Sequence, residues 1–184
     1  MNRTALFMGA ALAASLAAAP AHSHVYVSAG GAASACYQFA VEEHNTADAI
    51  NTCTAALAGE PLSERDRAAT LINRGILQLR TGGFERAMAD FDQAIAAQPA
   101  LAEGHINRGA ALLRREDYAG AITAISAGLE RQPVNPAQAY YNRGVAYEET
   151  GNVRAAYEDY RRAAELAPTW DAPRLELTRF SVRR

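Results

Sequence analysis

The tripeptide Asn-Arg-Gly occurs three times in this chain, and its glycines, Gly75, Gly109 and Gly144, are 34 and then 35 residues apart. Self-similarity at such a period is the sequence signature of repeat architectures. A unit of this size cannot bury its apolar face alone, so neighbouring units must stack on one another. The spacing therefore predicts a stack of repeated units.

Each unit is predicted to be a hairpin of two antiparallel helices. The three windows are 68–101, 102–135 and 137–170, with Pro136 as a one-residue insertion. Small residues at positions 8, 20 and 27 of each window allow the helices to approach closely, and a proline at position 32 ends the second helix. The small residues are Gly75, Ala87 and Ala94, then Gly109, Ala121 and Gly128, then Gly144, Ala156 and Ala163; the prolines are Pro99, Pro133 and Pro168.

This pattern resembles the tetratricopeptide repeat (TPR) family over residues 68–170. The family's tryptophan at position 4 is missing, because Leu71, His105 and Tyr140 stand there. The resemblance implies an all-α fold, an α-solenoid of stacked antiparallel helix hairpins, with the three repeats in residues 63–170. Residues 35–60 match a degenerate first hairpin, and residues 171–184 match a C-terminal capping helix whose Leu175, Leu177 and Phe180 pack inward.

The N-terminal residues have the composition of an export signal. Residues 1–21 contain Arg3, an apolar run at 5–19 and the cleavage pattern Ala19-Pro20-Ala21. We therefore expect an exported protein, periplasmic if the signal is bacterial, with a retained anchor as the alternative. Residues 22–34, which are rich in alanine, glycine and serine, are expected to be a flexible tail.

The two cysteines, Cys36 and Cys53, lie in the degenerate hairpin. Aligned with the repeats, they fall on facing helices, and an oxidising compartment permits a disulfide. Buried free thiols are the alternative. We expect a disulfide that staples the end of the stack.

The asparagine of each tripeptide is the main candidate for partner binding. The resemblance implies that Asn73, Asn107 and Asn142 face a concave groove, where they can bind the backbone of a peptide. The alternative is that they satisfy local polar groups. The other candidate groove residues are Ile72, Ile106, Tyr141, Ile76, Arg80 and Arg114. Chaperone-binding members of the family grip a carboxylate terminus with lysine, which this chain lacks, so an apolar or mixed-charge segment is the expected ligand.

The arginines of the tripeptide are candidates for ion pairs within the hairpins. Arg74 and Arg143 are each followed sixteen residues later by an aspartate, Asp90 and Asp159. We expect the pairs Arg74–Asp90 and Arg143–Asp159. If the pairing instead runs between repeats, Arg108 should reach back to Asp90.

Composition and motifs exclude several classes of function. The formal charge of −2 does not favour nucleic acid. No catalytic, metal-binding or cofactor-binding motif occurs, although His22-Ser23-His24 would form a copper-chelating terminus if cleavage follows Ala21. We expect a non-catalytic scaffold or adaptor that binds a protein or peptide partner. The alternative is a structural or self-associating module that uses its convex or end surfaces.

Overall fold

A computed structural model describes residues 6–9, 22–42 and 46–183, so the rest of the predicted signal segment lies outside the described residues. Helices and short strands follow one another in these residues. They are β1 (Leu6–Gly9), α1 (Gly31–Val41), α2 (Ala47–Gly59), α3 (Glu64–Arg80), α4 (Phe84–Ala97), α5 (Ala102–Arg114), α6 (Tyr118–Glu130), α7 (Ala137–Glu149), α8 (Val153–Leu166), α9 (Asp171–Leu177) and β2 (Phe180–Arg183).

The helices pair in chain order as α1/α2, α3/α4, α5/α6 and α7/α8, and each pair packs on the next. Helix α3 also contacts α5, and α5 contacts α7, so the first helices of the three repeats lie side by side. They form the inner wall of an all-α solenoid, which confirms the fold predicted from the repeat. Helix α1 begins at Gly31, four residues before the expected start of the first hairpin.

The repeated glycine is the place where the two helices of a hairpin touch. A Cβ at Gly109 would overlap the Ile125 side chain and lie within 3.2 Å of backbone atoms of Ile125 and Ala121. At Gly75 the obstacle is the ring of Phe91, and at Gly144 it is the ring of Tyr160. The glycine is therefore required at Gly109 by the close approach of two backbones, and at Gly75 and Gly144 by an aromatic ring of the second helix.

Replacing Gly109 with alanine should destabilise the protein by about 1–2 kcal/mol, because overpacking outweighs the gain in helix propensity. Urea unfolding followed by circular dichroism measures the change. Gly59→Ala is the matched control, since open space surrounds Gly59 at the end of α2. A Gly109→Ala protein as stable as the Gly59→Ala protein would contradict this explanation of the repeat.

The turns inside the hairpins use a left-handed residue at one fixed position. Gly82 and Gly151 have φ values of 81° and 76°, and Glu116 occupies the equivalent position in the second repeat with φ 61°. Glycine adopts this conformation freely, whereas a residue with a Cβ is strained there. The second repeat thus keeps the turn geometry without the glycine.

Cys36 and Cys53 form a disulfide that joins α1 to α2, with the two Cα atoms 4.9 Å apart. Both residues are fully buried and pack with Ala40, Ala49 and Leu77. The bond therefore joins the two helices of the end hairpin on the side that faces the first full repeat.

Charged pairs join the helices of the first and third full repeats. Arg74 contacts Asp90 through two hydrogen bonds of 2.7 and 2.8 Å, and Arg143 contacts Asp159 through two of 2.7 and 2.9 Å. In the second repeat, Arg108 instead reaches back to the preceding hairpin. Its partner there is Asp92, at 2.8 Å, and not the Asp90 of the alternative.

The C-terminal cap differs from the expected helix over 171–184. Helix α9 ends at Leu177, and Phe180–Arg183 form β2, which pairs antiparallel with Leu6–Gly9. Leu177 and Phe180 pack against the last hairpin as expected, whereas Leu175 is 65% exposed. Leu175 and Leu177 are two residues apart, about 200° around a helix, so α9 cannot turn both side chains towards the hairpin.

Candidate functional site

The three asparagines lie at equivalent places on α3, α5 and α7. All are buried, and the exposed fraction is 0% for Asn73 and Asn107 and 3% for Asn142. A buried amide requires hydrogen-bond partners for both its oxygen and its nitrogen. The location of these partners decides what the groove can do.

Asn73 and Asn107 bind the N-terminal segment, residues 22–28, which lies along the groove, and Asn107 Nδ2 also donates to the Glu103 carbonyl of its own helix at 2.9 Å. The Val25 N–H donates to Asn73 Oδ1 (3.2 Å), and Asn73 Nδ2 donates to the Val25 carbonyl (2.8 Å). Asn107 repeats this pairing with the amide and carbonyl of Ser23, at 3.3 and 2.9 Å. The expectation of a flexible tail therefore fails for this segment, because the groove satisfies its backbone.

Asp66 extends the polar row by about two helical turns beyond Asn73, and the sequence pattern had indicated no binding role for it. Its carboxylate accepts the Ser28 amide at 2.9 Å and the Ser28 hydroxyl at 2.8 and 2.9 Å. Burial alone would raise the pKa of Asp66, but the hydrogen bonds from Ser28 and Ser63 lower it below its ordinary value. The seven-residue spacing from Asn73, which places both on one helix face, could have revealed it.

The side chains of the N-terminal segment alternate between the groove and solvent. Val25 and Val27 are 3% and 2% exposed and belong to the core cluster that contains Ile72 and Ile76, whereas Tyr26 is 63% exposed. This is the period-two pattern of an extended chain with one buried face. The groove thus binds backbone through polar groups and alternate side chains through apolar ones.

The end of the segment at His22 lies in a basic environment. His22 is buried, and neither ring nitrogen has a hydrogen-bond partner within the described residues. Burial, and then the positive charges of Arg80 and Arg114 with a contribution from His24, lower its pKa from 6.5 to about 3. The docked imidazole is neutral, so protonation opposes docking as the pH falls from 6.5 towards 3.

The apolar groove candidates lie deeper than expected. Ile72 and Ile76 pack in the same cluster as the two valines. Ile106 reaches into the α5/α6 interface, where its side chain fills the space that a Cβ at Gly128 would need. The reason is that position 5 of the second repeat points between the two helices of the hairpin.

Tyr141 also differs from the expectation of a groove residue. Its ring packs against Tyr160 and Trp170, with centroid separations of 5.5 and 4.9 Å, and its hydroxyl donates to Glu176 at 3.3 Å. Burial, and then the negative charge of Glu176, raise its pKa to about 12. Tyr141 therefore belongs to the aromatic core beneath the C-terminal cap.

The two arginine candidates lie at the ends of α3 and α5. Arg80 donates to the Ala40 carbonyl at 2.7 Å and contacts His24 Nε2 at 3.2 Å. Arg114 is exposed, and its guanidinium lies 3.4 Å from the Leu79 carbonyl. Arg80 thus contacts the segment directly, whereas Arg114 acts on it through its charge.

A cavity of about 1030 Å³ opens beside the N-terminal segment. Its lining includes residues 22–26, the loop between α6 and α7 with Val134, the first residues of α7 and Trp170. One flank of the segment is therefore open to an approaching chain.

The described residues around the groove show no metal-binding cluster. Within 6–9, 22–42 and 46–183, no group of three or more His, Cys, Asp or Glu side chains is arranged to hold a metal ion. The copper-chelating arrangement of residues 22–24 would require the Ser23 amide, which donates to Asn107 in the docked segment.

Among the described residues, no helix has both the length and the hydropathy that a membrane span requires.

Stacked helix hairpins whose first helices line a groove define the class of α-solenoid repeat proteins. Two sequence models described as "Tetratricopeptide repeat" match residues 72–136 and 137–169, together just over half of the chain. The chain belongs to the tetratricopeptide repeat family.

One curated relative is the Lipoprotein NlpI homolog of Haemophilus influenzae, which is 31% identical over 99 residues. These residues are 54% of this chain and 31% of that protein, so the match covers less than a third of the relative's length.

Solved structures show the same fold. The crystal structure of MamA has a TM-score of 0.63 at 19% identity, covering 77% of this chain and 80% of that chain. The Arabidopsis OM64 TPR domain has a TM-score of 0.60 at 21% identity, covering 64% and 96%. The second TPR domain of human RPAP3, solved in complex with the HSP70 peptide SGPTIEEVD, has a TM-score of 0.58 at 25% identity, covering 63% and 96%.

Proposed function

We propose that this protein is a non-catalytic scaffold or adaptor that binds an extended segment of a partner protein in its concave groove. The observation that carries the proposal is the paired hydrogen bonding of Asn73 and Asn107 to the amide and carbonyl of single residues. These bonds involve only backbone atoms of the bound chain, so another extended chain could make them equally well.

The peptide complex of the human RPAP3 domain supports this use of the fold. The bound HSP70 peptide ends in Glu-Glu-Val-Asp. The groove described here has no lysine for such a carboxylate, and Arg80 already binds the Ala40 carbonyl and His24. An apolar or mixed-charge segment is therefore the better ligand for this chain.

The place of action in this proposal is an exported compartment, most simply the periplasm. The disulfide between Cys36 and Cys53 supports it, because such bonds persist in oxidising compartments. The similarity to a lipoprotein homolog of Haemophilus influenzae points the same way.

The test is a crosslinked pull-down from the native compartment with the full chain as bait. We expect the triple variant Asn73→Ala, Asn107→Ala and Asn142→Ala to capture at least about tenfold less partner than the unsubstituted protein. The reason is that each amide contributes about 1 kcal/mol or more to the binding free energy. Asn51→Ala, on the exposed face of α2, is the matched control and should capture normally. Circular dichroism verifies that the triple variant is folded, and undiminished capture by that folded variant would refute the groove as the binding site.

A second candidate function is a structural or self-associating module that uses its convex or end surfaces. The filled groove favours it, because residues 22–28 already occupy the asparagines. Under this alternative, the triple variant captures the same partners as the unsubstituted protein.

A further inference from the structure

The N-terminal segment binds the groove as a separate ligand would. Its polar contacts include those of Ser23, Val25 and Ser28 with Asn107, Asn73 and Asp66. Arg80 and Arg65 add contacts to the His24 ring and the Tyr26 carbonyl. In an extended chain, the amide and carbonyl of residues i and i+2 point to the same edge. The two asparagines therefore bind one edge of the segment in a fixed register.

The buried face of the segment adds side-chain selectivity to this backbone recognition. Val25 and Val27 lie in the apolar cluster of α3, two residues apart. A charged side chain at either place would be buried without a counter-charge, which is strongly unfavourable. The groove thus selects an extended chain with aliphatic residues at alternate positions.

The start of the first hairpin is capped independently of the segment. The Glu60 carboxylate accepts the Ala32 and Ala33 amides at 2.5 and 3.2 Å, so the start of α1 is capped by a residue that follows α2. Gly30 and Gly31 lie between the segment and this cap, and Gly31 has a φ of 68°. These two glycines can absorb a change of chain direction while α1 stays in place.

The short connection also makes the segment an effective competitor. Two residues, Ala29 and Gly30, separate Ser28 from the start of α1. A ligand held by a short tether has an effective concentration in the millimolar range. An external ligand of similar affinity therefore binds only in the fraction of molecules whose segment has left.

We propose that residues 22–28 are an intramolecular ligand, and that the partner binds by replacing them with its own extended segment carrying aliphatic residues two positions apart. This inference rests on the proposed function and specifies its ligand. The cavity beside residues 22–26 gives the incoming segment a place to make its first contact.

The test uses a labelled peptide with the sequence of residues 22–29, HSHVYVSA, and fluorescence anisotropy. In the full chain, Val25→Asp with Val27→Asp should release the segment and raise the apparent affinity for the peptide at least about tenfold over the unsubstituted protein. Adding Asn73→Ala and Asn107→Ala should abolish this gain. A peptide with aspartate at both valine positions should not bind.

Leu175→Asp is the matched control for an added aspartate, because Leu175 is 65% exposed on α9 and does not line the cavity beside the segment. It should bind the peptide as weakly as the unsubstituted protein does. A folded double-aspartate variant that binds no better than this control would overturn the inference, as would equal binding of the aspartate-containing peptide.

A second measurement decides the matter if the double-aspartate variant does not fold. In the unsubstituted protein, the Val25 and Ser28 amides donate to Asn73 and Asp66 and should exchange slowly with solvent. An excess of the unlabelled peptide should accelerate their exchange, and unchanged exchange at saturating peptide would overturn the inference.

The outcomes also separate this inference from the proposed function. If the peptide never competes but partner capture still depends on the three asparagines, the groove binds a different kind of segment. In that case the replacement proposal fails and the scaffold proposal stands. If capture is also independent of the asparagines, both fail.

Discussion

Removal of the Cys36–Cys53 disulfide is expected to lower the free energy of unfolding by about 3 kcal/mol, the value that chain entropy gives for a loop of this length. The two cysteines are 17 residues apart. The bond restricts the unfolded chain, and it joins α1 to α2 in the hairpin at the end of the stack. The variant Cys36→Ala with Cys53→Ala, compared with the unsubstituted protein in a urea titration, measures the loss.

Reduction of the unsubstituted protein is the control for this experiment, because it breaks the bond without removing either side chain. The reductant should lower the urea midpoint of the unsubstituted protein and leave that of the double variant unchanged. Equal midpoints for the unsubstituted protein with and without reductant would show that the bond contributes nothing to stability.

Replacement of Asp90 with asparagine is expected to lower the free energy of unfolding by about 2–3 kcal/mol. This is less than the loss expected for a fully buried ion pair, because Arg74 is partly solvated. The carboxylate of Asp90 is 4% exposed and the Arg74 side chain 18%, so the guanidinium loses its counter-charge where water compensates little. Thermal or urea unfolding of the variant provides the measurement. Asparagine keeps the shape of the side chain, so the effect reports the charge.

Asp92→Asn is the matched control, since it removes the same charge from a pair with Arg108 that is 57% exposed at the carboxylate. Exposed pairs contribute about 0.2–1 kcal/mol, so this variant should remain close to the unsubstituted protein. Equal losses for the two variants would mean that burial of the Arg74–Asp90 pair does not determine its contribution.

The fold could be predicted from the sequence because a repeated unit restates the same constraint three times. Gly75, Gly109 and Gly144 each mark a place where the second helix of a hairpin leaves no room for a Cβ, and no single position has to be interpreted alone. The register that follows from them also placed Cys36 and Cys53 on facing helices. Such features depend on helix geometry, which is local and periodic.

The groove itself was less predictable, because its lining depends on which neighbour covers each residue. Ile106 and Tyr141 occupy the same repeat position, yet the first packs against Gly128 and the second beneath Trp170. The docking of Val25 and Val27 was missed because two alternating valines are too short a pattern to distinguish from a tail. Only the tertiary structure shows that Asn73 and Asn107 are placed to receive them.

The two helices of a hairpin are linked by a disulfide in the first hairpin and by ion pairs in the first and third full repeats. The two ends of the stack therefore differ in their sensitivity to a reductant. Cys36 stands at the repeat position that Arg74 and Arg143 occupy in later units, so a covalent link replaces an ionic one. A thiol reductant therefore weakens the first unit alone and leaves the ion pairs of the later units intact. The end of the solenoid that carries the disulfide can thus be loosened by redox chemistry to which the rest of the stack does not respond.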